Sequence, residues 1–265
     1  MDPAKRGHYE TLFWLWRAGL RYGGLIDLGC ADGHFSVMLS EDGPARNSAI
    51  LNVDPQEEYR DSLAAIQAAL GGHFRLCVVG ERDGVTVEMQ RGAHAYWTST
   101  RKAGDRYWAG INDLHAAKSL RVPQRSLDSL VSETSLPGPY LLKMDVQGAE
   151  VAALAGGRET LARTDVVVVE ILVEDFAPIH QAMVQNDFDL FDLTDLKSSE
   201  AGTLAWFYAI YVKSRHRALR PTALWNPSLN ELAIKQQGER REIVQNEIWA
   251  ALDRYRAGEW PALPG

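Results

Sequence analysis

Four carboxylates stand at or near the ends of short apolar runs, which is where an open α/β sheet presents chemistry to a ligand: Asp27, Asp54, Asp145 and Glu170. The first lies in Leu25-Ile-Asp-Leu-Gly-Cys-Ala-Asp-Gly-His-Phe35, an Asp-x-Gly-x-x-x-Gly turn that opens a helix. Glycines at 29 and 33 admit unusual turn angles and let a ligand approach the backbone, so Gly29, Cys30, Ala31 and Gly33 become binding candidates together with Asp27. The spacing departs from the Gly-x-Gly-x-x-Gly that seats a pyrophosphate on a helix N-terminus, and an acid beside it suits a cationic ligand. A plain strand-to-helix turn is the competing reading. Asp54, followed by Pro55, can accept hydrogen bonds from vicinal ribose hydroxyls or can cap the helix that begins near Pro55; both readings stand.

The segment Lys143-Met-Asp-Val-Gln-Gly-Ala-Glu150 ends another apolar run. Asp145 can take the proton of a reacting hydroxyl, or can bond the turn that follows it. Glu170 interrupts Val166–Leu172 and is costly to bury without a partner. Lys143 either reaches a carboxylate such as Glu170 or runs its stem out to solvent. Glu150 is placed to complement a helix N-terminus. Asp145 and Glu170 would give a divalent cation two oxygens, but no third carboxylate has a telling spacing and the seven His form no ligand pair, so no metal is assigned. His94 is a reserve base in an aromatic stretch with Tyr107, Trp108 and His115, a segment that reads either as an acceptor wall or as a packed flap. Glu81 is a positional candidate for contact with a base.

These residues need a sheet to hold them. Strands are expected at 25–28, 50–53, 74–79, 140–144, 166–172, 188–193 and 205–212, with helices over 35–39, 57–70, 149–161, 179–185 and much of 229–255. The link 194–204 is too short for a crossover helix, so the last two strands pair as an antiparallel hairpin. The fold class is therefore α/β, a doubly wound, mostly parallel seven-stranded sheet with an antiparallel last strand, Rossmann-like in the manner of class I methyltransferases. Three parts follow: an aromatic helical segment at 1–22, the sheet domain at 23–213, and a charged helical extension at 214–265.

Composition narrows the rest. The 265 residues are 46% hydrophobic with a net charge of −7, from 28 basic and 35 acidic side chains, which argues against a phosphate-coating surface and hence against a nucleic-acid partner. No run approaches the roughly 18–20 apolar residues of a membrane span. The N-terminal residues read as carrying no secretory signal, and two Cys suit a reduced cytoplasm. The terminal helices are candidate surfaces for a homo-oligomer.

With Lys143-x-Asp145, Gly148, Glu150, Gly156 and the strand ending in Val169-Glu170, the chain resembles the FkbM family of methyltransferases from about Gly24 to Val212. Gln147 stands where that family usually has Glu, and Asp54-Pro55 replaces its common Glu-Pro. The resemblance implies S-adenosylmethionine as cofactor and methyl transfer to the hydroxyl of a small molecule, glycan or secondary metabolite. Gly29, Ala31 and Gly33 would then lie along the methionine part and Asp54 on the ribose. A nucleotide-dependent oxidoreductase and a silent binding protein built on the same fold are the alternatives.

Overall fold

The computed structural model describes residues 7–41, 43–91, 98–100 and 118–220. His94, Tyr107, Trp108, His115 and the helix expected over 229–255 lie outside them.

After helix α1 (His8–Arg17) the chain lays down β1 (Gly24–Leu28), α2 (His34–Ser40), β2 (Ala49–Val53), α3 (Arg60–Leu70) and β3 (His73–Arg75). Four strands follow: β4 (Val78–Gly80), β5 (Val85–Arg91), β6 (Thr98–Ser99) and β7 (Lys118–Ser126). Then come α4 (Leu127–Thr134), β8 (Tyr140–Met144), α5 (Glu150–Ala155), α6 (Arg158–Ala162), β9 (Thr164–Leu172), α7 (Phe176–Gln185), β10 (Phe188–Ser198) and β11 (Leu204–Lys213).

The main sheet has seven strands in the order β10-β11-β9-β8-β1-β2-β3. β11 is antiparallel to both of its neighbours, while the pairs from β9 through β8, β1 and β2 to β3 are parallel. The hairpin expected at the end of the sheet forms, but its second strand lies inside the sheet and β10 takes the edge. Composition explains this. β11 buries Ala209, Ile210, Tyr211 and Val212, whereas β10 carries Asp189, Asp192, Asp195 and Lys197, charges that suit an edge.

Two expected elements are split. The run 74–79 is two strands in different sheets: β3 pairs with β2, and β4 pairs with β7 in a second sheet of order β4-β7-β5-β6. A continuous apolar run does not reveal a change of partner. The helix expected over 149–161 breaks into α5 and α6 at Gly156-Gly157, where a Cβ on Gly156 would lie 2.1 Å from the Gly80 carbonyl oxygen. The break lets α5 approach β4 closely. The second sheet, which no periodicity in the sequence announced, buries Val78, Met89 and Val122 against Val87 and Leu120.

Alternation along the main strands divides the core in two. One face buries Ile26, Leu28, Leu142, Met144, Val167 and Val169 beneath α4–α7. The other buries Leu25, Leu141, Val166 and Val168 beneath α1 and α2, through Leu12, Leu15, Phe35 and Leu39.

Candidate active site

The end of β1 meets the end of β8 at Gly29. Its φ is +68°, and a Cβ there would stand 1.9 Å from the Asp145 carbonyl oxygen, so only glycine allows the two strand ends to touch. The N–H groups of Gly29 and Cys30 both donate to the Val53 carbonyl, at 2.8 and 3.2 Å, which binds the turn to β2. Asp54 closes the same junction: Oδ2 accepts the Ala31 N–H at 3.0 Å and Oδ1 accepts the Gln56 N–H at 2.9 Å. Burial raises its pKa to about 6 despite those bonds. Asp54 is therefore not the cap of a helix starting at Pro55, because α3 begins at Arg60 after a 3₁₀ turn over Glu57–Tyr59. Gly33 precedes α2 and packs on Ile66.

Asp27 and Cys30 sit beneath this surface. Asp27 is fully buried, with its Oδ1 3.4 Å from Lys143 Nζ and the Ser36 hydroxyl donating to its Oδ2 at 3.4 Å. Burial pushes its pKa up, and Lys143 opposes that. Its charge is matched inside the protein rather than offered to a ligand. Cys30 packs with Tyr59 and Leu63, and burial pushes its thiol well up.

Lys143 answers the question its sequence position raised. It does not run to solvent: Nζ donates to the Gly29 carbonyl at 3.1 Å and lies 3.4 Å from both Asp27 and Asp145. Burial alone would lower its pKa, but the two carboxylates outweigh that and keep it charged. Asp145 is held from several sides. Gln147 Nε2 donates to its Oδ1 at 2.7 Å and the Tyr208 hydroxyl donates to its Oδ2 at 3.2 Å. Gln147 Nε2 also donates to Glu170, so a single amide bridges the two carboxylates. Burial opposes ionisation of both. For Asp145, Lys143 and the donated hydrogen bonds win and its pKa falls; Glu170, facing the Asp145 charge, is driven up to about 9. The shared surroundings thus set the two carboxyls apart, favouring the charged form of Asp145 and the protonated form of Glu170.

Gln147 adopts φ +49°, and its carbonyl accepts the hydroxyl of Ser99 from the second sheet. Glu150 turns back on its own turn, accepting the Gly148 N–H at 3.1 Å.

These groups open on a cavity of about 690 Å³ over the carboxyl ends of β1, β2, β8 and β9. Of the residues singled out from the sequence, Gly29, Ala31, Asp54, Pro55, Asp145 and Glu170 line it. Glu81 is exposed and stands off it; Cys77, Val78 and Val79 line the wall instead. Sequence reasoning also missed Met89 from the second sheet, and Ser198, Ser199, Glu200 and Trp206 from the β10–β11 tip. Alternation on β11 could have grouped Trp206 with Tyr208, but it could not have placed that strand beside β9. Among the described residues no group of three His, Cys, Asp or Glu is arranged to hold a metal, and no helix is long and apolar enough to cross a membrane.

Solved structures similar to this chain include the methyltransferase FkbM from Methylobacillus flagellatus, at 14% identity and TM-score 0.45 over 77% of this chain and 48% of that one. The chain thus spans about half the length of that protein. An rRNA methylase from Streptococcus thermophilus matches at 12% identity and TM-score 0.40, over 79% and 97% of the two chains. A Streptococcus pneumoniae protein solved with S-adenosyl-L-methionine, a candidate tRNA (m1A22) methyltransferase, matches at 12% identity and TM-score 0.41, over 93% and 96%. Comparison with curated proteins returns no significant match. The FkbM methyltransferase domain model matches residues 29–190, well over half of the sequence. The chain belongs to the FkbM methyltransferase family.

Proposed function

We propose that this chain transfers a methyl group from S-adenosylmethionine to a hydroxyl of a small molecule, glycan or secondary metabolite, and that the Asp145–Glu170 pair receives the hydroxyl proton. The bridged carboxylate pair on the wall of the cavity carries this reading. The donor set suits the cofactor. The cavity falls within the roughly 300–1,000 Å³ usual for small ligands, and the carboxylates of Asp54, Asp145 and Glu200 on its wall favour a cation. S-adenosylmethionine supplies an electrophilic methyl on a sulfonium, so the protein has mainly to align the acceptor oxygen and exclude water.

Gly29 and Ala31 give that ligand a floor of backbone, and the Asp54 carboxylate has acceptor capacity for a ribose hydroxyl beyond the two backbone N–H groups it takes. An alkyl hydroxyl must lose its proton as the new bond forms. Asp145, ionised but already held by several donors, is a weak base. Glu170 is the stronger one once its proton has left, and positive charge in the cavity favours that ionisation. Lys143 keeps Asp145 and Asp27 compensated throughout. His94 remains a reserve base.

Among the described lining residues there is no Lys, Arg or His, which supports an acceptor without phosphate over RNA. We read 1–22 as a segment covering the sheet domain of 23–213, with 214–265 as an extension.

Calorimetry with S-adenosylhomocysteine and with NAD tests the cofactor: binding of the first and not the second is expected, and the reverse would restore the oxidoreductase. Transfer of labelled methyl to a panel of neutral hydroxyl acceptors then tests the reaction, and transfer only to RNA would overturn the acceptor class.

A further inference from the structure

Tyr208 lies outside the residues matched by the family model, yet it touches the carboxylate pair. It stands opposite Glu170 in the β11–β9 register, and its hydroxyl donates to Asp145 Oδ2 at 3.2 Å. Its ring is held from the other side. His8, at the start of α1, packs against it with centroids 4.5 Å apart. Asp195 of β10 fixes His8 twice through Oδ2, which lies 2.8 Å from Nδ1 and accepts the backbone N–H at 2.8 Å. The Thr11 hydroxyl ties the next turn of α1 to Asp192 at 2.8 Å.

We propose that Tyr208 is a positioning residue for the carboxylate pair: the α1–β10 clamp through His8 and Asp195 sets its ring so that its hydroxyl holds Asp145 Oδ2 at the cavity wall. The proposal rests on the reading of Asp145 and Glu170 as the proton-accepting pair. A phenylalanine would fill the same volume and make the same ring contact with His8; only the hydroxyl addresses Asp145. Burial and the nearby charges of Asp145 and Glu170 push the Tyr208 phenol well above its ordinary value, so it remains a donor across the working range. The ionisable groups facing the pair are Lys143 from β8 and Tyr208 from β11, with Asp27 behind Lys143 and Tyr9, His8 and Asp195 around the clamp.

The test is a carboxyl-carbon NMR titration of the whole protein labelled at Asp and Glu, without cofactor. Removing the donor in Tyr208→Phe should raise the Asp145 midpoint by about one unit, since a lost hydrogen bond to the charged form disfavours it. His8→Ala keeps the hydroxyl but frees the ring, and should move Asp145 the same way by less. A purely structural tyrosine would lower the melting temperature and leave the midpoint in place. An Asp145 curve in folded Tyr208→Phe that superimposes on wild type overturns the proposal; if that variant does not fold, an unmoved curve in His8→Ala does so. Binding of S-adenosylhomocysteine, measured on the same samples, keeps the outcomes separate: its absence in wild type counts against the cofactor reading and leaves the titration result standing.

Discussion

The two faces of the main sheet are drawn from the same strands and hold opposite chemistry. In β8, Leu142 and Met144 are fully buried beneath the helices of one side, while Lys143 between them points to the other and meets Asp27 and Asp145. In β9, Val167 and Val169 repeat the first role and Glu170 the second. The face beneath α4–α7 is held by dispersion and hydrophobic burial, where volume matters and direction does not. The face beneath α1 and α2 is apolar only up to its last turn; toward the carboxyl ends it becomes a row of paired ions and hydrogen bonds, stable only while every member keeps its partner. Neighbouring residues in one strand thus tolerate entirely different kinds of change.

Substitutions on the two faces should separate along these lines. The largest effect is expected at Glu170→Gln, which keeps the shape but cannot accept a proton. Methyl transfer should fall roughly hundred- to ten-thousand-fold with S-adenosylhomocysteine affinity nearly unchanged, and a labelled-methyl assay showing full activity would remove Glu170 from the proton path. Lys143→Met strands the Asp27 and Asp145 carboxylates in the interior and should cost about 3–5 kcal/mol in denaturant unfolding. Adding Asp27→Asn should recover part of that loss; a double variant as unstable as the single one would mean the ion pair is not the cause. On the opposite face, Leu142→Ala leaves a cavity and should cost about 2–5 kcal/mol, with the carboxyl titrations unmoved. A shift of the Asp145 or Glu170 midpoint in that variant would show that the faces are coupled.

A pH slope supplies the remaining comparison. Because the folded-state pKa of Glu170 is raised to about 9, the native protein keeps a proton that the unfolded chain releases. Its contribution to stability is therefore most favourable below the ordinary glutamate range and is lost as pH rises from there toward 9. Wild type should lose stability relative to Glu170→Gln across that window, and parallel curves would contradict the shift.

The resemblance to the family and the grouping of Gly29, Asp54, Asp145 and Glu170 could be read from the chain because each sits at a strand end with a local signature: an apolar run, a turn and an acid. Other features had no such signature. Leu76-Cys77 looks like the middle of a strand, yet the chain changes sheets there. Asp27 read as an acid suited to a cationic ligand, yet Lys143 from the adjacent strand engages it. Glu81 follows a strand as Asp54 does, but β4 belongs to the other sheet and carries it away from the cavity.

The sequence by itself determined the alternation that sends Leu142 one way and Lys143 the other, the turn that needs glycine at 29, and the carboxylates at four strand ends, because these depend on a residue and its near neighbours. Only the tertiary structure decided that the Gln147 amide bridges Asp145 and Glu170, that β11 lies inside the sheet, and that α1 reaches Tyr208 through His8. Those outcomes depend on distances between segments far apart in the chain, and protonation follows the charges that surround a group rather than its position in the sequence.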